Sequence, residues 1–258
     1  MIVVHSRRSF VAGLSVTVLA TACASGEGKV MTHADGRLAA RPAPLLQPAA
    51  RSGLFDLDGL RATAFVPPGL DRATPAPLLL LLHGAGGKGD GLMRRFMPMA
   101  EQRGIVLLAP DSARQTWDAI RAFGSATYDT FGEDAAAIDR ALAALFAEVN
   151  IDRNRVAIGG FSDGASYAIS LGGRNGDLFG DILAFSPGGV VPFTTRMQPR
   201  IFISHGRRDE ILKFENTAMG IVPGLTAMGL DVSFHPFDGS HELRSQEMQA
   251  GLDWWLRG

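Results

Sequence analysis

The chain has 258 residues, of which 46% are hydrophobic and 20% charged, a balance that excludes a disordered, fibrous or membrane-embedded protein. Its 25 Lys and Arg nearly match its 26 Asp and Glu, for a formal net charge of −1, and the absence of a basic stripe argues against nucleic acid as a partner. Cys23 is the single cysteine, so the fold is held by packing rather than by a disulfide.

The N-terminus reads as an address. Arg7 and Arg8 precede an apolar run from Phe10 to Ala22, too short to span a bilayer and ending in small residues, the pattern of a cleaved secretory signal over residues 1–23. Ser6-Arg7-Arg8-Ser9-Phe10 also has the form of a twin-arginine signal. Two cleavages compete at its end. Leu19-Ala20-Thr21-Ala22-Cys23 is similar to a bacterial lipoprotein signal, with Cys23 as the lipidated residue, whereas Ala22-Cys23-Ala24 fits ordinary small-residue cleavage. Either route predicts export, with the mature chain periplasmic, anchored to a membrane as a lipoprotein, or secreted. Residues 24–50 are rich in Ala, Gly and Pro without an apolar period and predict a flexible tether. The folded domain is expected over 51–258, and His5 and His33 are expected outside it.

From Arg51 onward, apolar runs alternate with stretches of helical period, which predicts an α/β architecture: a mostly parallel eight-stranded sheet with helices on both faces. Leu54–Leu57 and Leu60–Val66 flank Asp58-Gly59 and predict an N-terminal antiparallel hairpin. The remaining strands are expected at Leu78–Leu82, Ile105–Ala109, Val156–Gly159, Ile182–Phe185, Ile201–Ser204 and Val232–Phe237. Ile138, Leu142, Leu145, Phe146 and Val149 recur at helical spacing between Phe131 and Val149. Asn150–Asn154 is expected to turn the chain into the next strand, and a further helix from Asp163 to Leu171 is expected to stop at Gly172-Gly173. The tail from His241 to Leu256 buries Leu243, Leu252 and one or both of Trp254 and Trp255.

Gly160-Phe161-Ser162-Asp163-Gly164 has the spacing G-x-S-x-G. In that arrangement a strand turns sharply into a helix and exposes a serine hydroxyl, and the glycines give the backbone room. The pattern is short, but it falls between an expected strand and an expected helix, as the geometry demands. A serine attacks only when a base takes its proton, and the base needs an acid to orient it. In the chain order Ser, acid, His, Asp209 follows the strand Ile201–Ser204, and His241 follows the last strand. Asp238 is the second choice as acid; His205 precedes the acid, and His83 and His235 read as strand-end residues.

Leu78–Leu82 runs into His83-Gly84-Ala85-Gly86-Gly87, a small-residue loop able to aim the Ala85 N–H at a developing oxyanion, with the N–H of Asp163 as second donor. A rival reading exists here. Gly84-Ala85-Gly86-Gly87-Lys88-Gly89 fits G-x-G-x-x-G after a strand, with Asp111 further on, the spacing of a dinucleotide site. Against it, Asp90-Gly91 and Pro98 are expected to break the helix that would face the phosphates. No Ser or Thr follows Gly87-Lys88, which excludes a nucleotide P-loop. Trp117, Phe123, Tyr128 and Met93 are candidates for lining a substrate pocket, with loop anchoring as the alternative. Ser186-Pro187-Gly188 reads as a turn beside the site without chemistry of its own.

With these residues in place, the stretch from Leu54 to Leu256 resembles the α/β-hydrolase superfamily. Gly160-Phe161-Ser162-Asp163-Gly164-Ala165, Ala184-Phe185-Ser186-Pro187-Gly188 and His205-Gly206-Arg207-Arg208-Asp209 look like its phospholipase/carboxylesterase group. They look more distantly like polyhydroxyalkanoate depolymerase-like and feruloyl-type esterases. The resemblance implies serine-dependent hydrolysis of small or oligomeric carboxylic esters, with neither cofactor nor metal. The same triad serves peptidases and acyltransferases, and a non-catalytic binding protein can share the scaffold.

Overall fold

The computed structural model describes residues 33–46, 48–49, 51–121, 130–195 and 197–258. Eight strands form one sheet: β1 (Gly53–Asp56), β2 (Ala62–Val66), β3 (Ala76–Leu82), β4 (Val106–Pro110), β5 (Ile151–Phe161), β6 (Asp181–Phe185), β7 (Arg200–Gly206) and β8 (Val232–Phe237). Their order is β1-β2-β4-β3-β5-β6-β7-β8. Strand β2 runs antiparallel to both of its neighbours, and all other pairings are parallel. The expected hairpin closes through Gly59, whose φ of 71° only glycine adopts cheaply.

The helices are α1 (Gly89–Arg103), α2 (Asp118–Arg121), α3 (Glu133–Glu148), α4 (Asp163–Arg174), α5 (Phe214–Asn216), α6 (Val222–Ala227) and α7 (Ser245–Arg257), with a π-turn over Thr217–Ile221. They sandwich the sheet. Alternate residues of β3 face opposite layers: Leu78, Leu80 and Leu82 join Ile138, Leu142 and Leu145 of α3, while Leu79 and Leu81 join Met93 and Phe96 of α1 and Leu252 and Trp255 of α7. Burial of both faces is why β3 reads as an unbroken leucine run instead of an alternation.

Four expectations need correction. Helix α1 continues through Pro98 instead of breaking at it; the proline forfeits one backbone hydrogen bond, and the buried Met93, Phe96 and Met99 hold the helix to the sheet. Helix α4 likewise passes through Gly172 and Gly173. A Cβ on Gly172 would come within 2.8 Å of Ile158 and 2.9 Å of Ile182, so this glycine serves close helix–sheet contact rather than a stop. Strand β5 begins at Ile151, with Ile151 paired to Ala76 and Val156 paired to Leu78. The expected turn over 150–154 is therefore a bulge within the strand.

The fourth concerns the tether. Residues 33–46 lie on the domain instead of trailing from it. Asp139 Oδ1 accepts the N–H groups of Ala39 (2.9 Å) and Ala40 (2.8 Å), and its Oδ2 lies 2.9 Å from His33 Nε2. Asn175, fully buried at the end of α4, accepts the Leu38 N–H and donates to the Gly36 carbonyl. Leu38 is buried in the α3/α4 core. The missing apolar period hid this docking because the Gly36, Leu38, Ala39 and Ala40 contacts to Asp139 and Asn175 are made by backbone groups, which any sequence supplies. The signal segment and Cys23 lie outside the described residues. Among the described helices none is long and apolar enough to cross a membrane.

Candidate active site

Strand β3 pairs with β4 on one side and β5 on the other, so the chain reverses its winding there and the carboxyl ends of β3 and β5 border a crevice. Ser162 stands at the end of β5, directly before α4, with φ 58° and ψ −123°. A non-glycine residue at positive φ is strained, and the surrounding structure must impose it. Here the imposition is visible. A Cβ on Gly160 would lie 2.7 Å from the Leu82 carbonyl oxygen, and one on Gly164 would overlap that same oxygen, so α4 can begin against β3 only with glycine on both sides of the serine.

Three side chains distant in the chain meet at this bend. His241 Nε2 lies 3.0 Å from Ser162 Oγ, and its Nδ1 lies 2.7 Å from Asp209 Oδ2. With the Nδ1–H donated to the carboxylate, Nε2 is left with the lone pair that faces the serine hydroxyl. Asp209 is 6% exposed, and its Oδ1 accepts the N–H groups of Ile211 (3.0 Å) and Leu212 (2.8 Å). The His241 ring rests on Phe161 at 4.8 Å between centroids. Asp238, the second choice as acid, is solvent-facing and paired with Arg208.

The loop after β3 lies against the serine: a Cβ on Gly84 would be 3.2 Å from Ser162 Cβ. The N–H of Gly86 is donated to Gln115 O (2.6 Å) and that of Gly87 to Gly84 O (3.0 Å), whereas Ala85, the exposed residue directly before them, has no backbone partner for its N–H among the described residues. Asp163 is the first residue of α4, where a helix N–H has no partner within the helix and the dipole favours negative charge.

A second loop, absent from the expectations, frames the first. Ser112 donates its N–H to His83 Nε2 (3.1 Å), His83 Nδ1 donates to Gly84 O (2.8 Å), and Trp117 Nε1 donates to His83 O (2.9 Å). Thr116 Oγ1 donates to Asp163 Oδ2 at 2.6 Å. Trp117, a pocket candidate, is thus fully buried and stacked on Tyr167 at 5.2 Å. Met93 is fully buried in the α1 face of the core. Both are loop or core anchors with no surface to offer a substrate, while Phe123 and Tyr128 lie outside the described residues. Beneath this loop, Asp118 accepts from Tyr167 Oη (2.8 Å), and Asp134 accepts the N–H groups of Ala113 (2.6 Å) and Asp118 (2.8 Å). Burial pushes the Asp134 carboxyl above its ordinary pKa, and the neighbouring Asp118 charge adds to the effect.

The rival dinucleotide geometry fails for a reason other than the expected one. Helix α1 is intact, but its N-terminus is occupied: Asp111 Oδ1 accepts the Gly89 N–H at 2.8 Å, and Asp111 Oδ2 pairs with Lys88 at 3.0 Å. The carboxylate expected on a ribose sits where a pyrophosphate would have to bind. Among the described residues no group of three or more His, Cys, Asp or Glu is placed to hold a metal ion.

The sheet order, the strained serine between strand and helix, and the converging histidine and aspartate define an α/β-hydrolase. Residues 65–254 match the phospholipase/carboxylesterase family, and the chain belongs to that family. A stretch of 120 residues is 26% identical to acyl-protein thioesterase 1 of Yarrowia lipolytica and covers 42% of this chain and 51% of that protein, about half its length. Over 218 residues the chain is 23% identical to probable feruloyl esterase C of Aspergillus niger, covering 81% of this chain and 73% of that one. Among solved structures, esterase PE8 superposes with a TM-score of 0.60 at 21% identity over 75% of this chain and 96% of its own.

Proposed function

We propose that this protein hydrolyses carboxylic esters through an acyl-enzyme formed on Ser162. The observation that carries the reading is the position of His241, 3.0 Å from the serine oxygen on one side and 2.7 Å from Asp209 on the other. Membership of the phospholipase/carboxylesterase family supports it.

As Ser162 Oγ attacks the ester carbonyl carbon, its proton passes to His241 Nε2, and Asp209 stabilises the imidazolium that results. The carbonyl oxygen, now negative, is held by the N–H groups of Ala85 and Asp163. Collapse of this intermediate breaks the C–O bond, and His241 returns the proton to the departing alcohol. Water then attacks the acyl-serine with His241 as base, releasing the acid and restoring Ser162. None of these steps draws on a cofactor.

Ser162→Ala tests the assignment. It is expected to lower kcat on a short p-nitrophenyl ester by at least about 1,000-fold and to abolish labelling by a fluorophosphonate, with the melting temperature unchanged. Turnover at the parental rate would overturn it.

The proposal includes export, on the strength of Arg7-Arg8 and the apolar run that follows. The catalytic domain then works in the periplasm, on a membrane or outside the cell, and touches a membrane only through a lipid on Cys23. Fractionation of cells expressing the full chain and a Cys23→Ala variant decides between these: substitution releases an anchored form and leaves an unanchored one where it was.

A further inference from the structure

We propose that His205 is a positioning residue of the site: its Nε2–H holds the Asp209 carboxylate in the orientation that His241 requires. The proposal rests on the reading of Ser162, His241 and Asp209 as the catalytic triad. His205 is on β7 and has no exposed surface. Its Nε2 lies 2.7 Å from the Leu212 carbonyl oxygen and 3.1 Å from Asp209 Oδ2.

Both neighbours of Nε2 are acceptors, so the proton must reside on that nitrogen. Nδ1 has no hydrogen-bond partner among the described residues, as expected of the nitrogen that keeps its lone pair. Burial also pushes the His205 pKa down, which keeps the ring neutral. Facing it are Asp209, the Leu212 carbonyl, His241 and the edge of Phe214, with ring centroids 6.1 Å apart.

Asp209 is consequently approached on both carboxylate oxygens. Two loop N–H groups, from Ile211 and Leu212, hold Oδ1, and two imidazole nitrogens flank Oδ2, His241 Nδ1 at 2.7 Å and His205 Nε2 at 3.1 Å, the latter with its N–H aimed first at the Leu212 carbonyl. Only His241 of the two reaches Ser162. A carboxylate on a loop, held by donors from that loop alone, would turn with it; His205 sets Oδ2 against strand β7 and ties the Leu212 carbonyl to the same ring. Its neutrality matters. A lysine or arginine at this position would hold the carboxylate equally well but would also cancel the charge that stabilises the His241 imidazolium.

The test compares His205→Leu, His205→Gln and His205→Asn with the parent and with Ser162→Ala. A glutamine amide nitrogen reaches the place of Nε2, whereas that of asparagine reaches only the place of Nδ1. A hydrogen bond to a charged group is worth about ten- to hundredfold. His205→Leu and His205→Asn are therefore expected to lower kcat at least about tenfold with KM unchanged, and His205→Gln to recover to within about threefold. Should the leucine variant not fold, the Gln/Asn pair carries the test. Parental kcat in His205→Leu, or equal losses in Gln and Asn that follow their melting temperatures, would overturn the proposal while leaving the triad reading intact. Activity that survives in Ser162→Ala would overturn both.

Discussion

The hydroxyl of Thr116 donates a 2.6 Å hydrogen bond to Oδ2 of Asp163, the residue next to Ser162. One residue earlier in the same loop, the Gln115 carbonyl accepts the Gly86 N–H. The loop after β4 therefore touches both segments proposed to supply the oxyanion donors, and it holds the Asp163 carboxylate through the Thr116 hydroxyl. Thr116→Val keeps the shape and removes the donor. It is expected to lower kcat about three- to tenfold, KM unchanged, as measured by steady-state hydrolysis of a p-nitrophenyl ester.

The two glycine environments at the site separate steric overlap from backbone strain. Gly164→Ala would drive a methyl group into the Leu82 carbonyl, and neither backbone can yield; a loss of at least about 3 kcal/mol, or failure to fold, is expected in urea titrations. Gly86 has φ 69° with open space around it, so Gly86→Ala is expected to cost only the left-handed penalty, about 1–2 kcal/mol.

Asp139 fastens the N-terminal segment to α3. Asp139→Ala removes the acceptor of the Ala39 and Ala40 N–H groups and the partner of His33, leaving partly buried donors unpaired. Urea unfolding should show about 2–4 kcal/mol less stability, with kcat within about twofold of the parent because the segment contacts α3 and the far end of α4, remote from Ser162. Unchanged stability would mean that the Asp139 contacts contribute nothing to the fold.

Asp134 gives a pH dependence whose sign can be worked out. Burial raises its folded pKa above the ordinary 3.8, so between those two values the native state binds more protons than the unfolded state, and stability falls as pH rises. In Asp134→Asn this contribution is absent. The stability difference, parent minus variant, should therefore decline from about pH 4 upward and level off above the raised pKa, as read from urea midpoints across the range.

Much of the site was legible because its chemistry is tied to chain order. The glycines around Ser162 mark a backbone that must pass close to another. Asp209 and His241 follow strands whose apolar runs are plain, and a parallel sheet delivers their carboxyl ends to one edge. Order likewise excludes His205 as the base, and only the tertiary structure brings its Nε2 to 3.1 Å from Asp209 Oδ2. Trp117 was misplaced because an aromatic residue after a strand reads alike whether it lines a pocket or braces a loop; its N–H on the His83 carbonyl decided the matter.

Local signals determined the strand count, the sharp turn at Ser162 and the identity of the three converging side chains, because periodicity and steric demand at glycine act over a few residues. What only the tertiary structure decided depends on backbone groups meeting at long range. The docking of residues 33–46, the persistence of α1 through Pro98, and the carboxylate of Asp111 on the Gly89 N–H all rest on hydrogen bonds or packing whose partners are unmarked in sequence, since every residue but proline carries the same N–H and C=O.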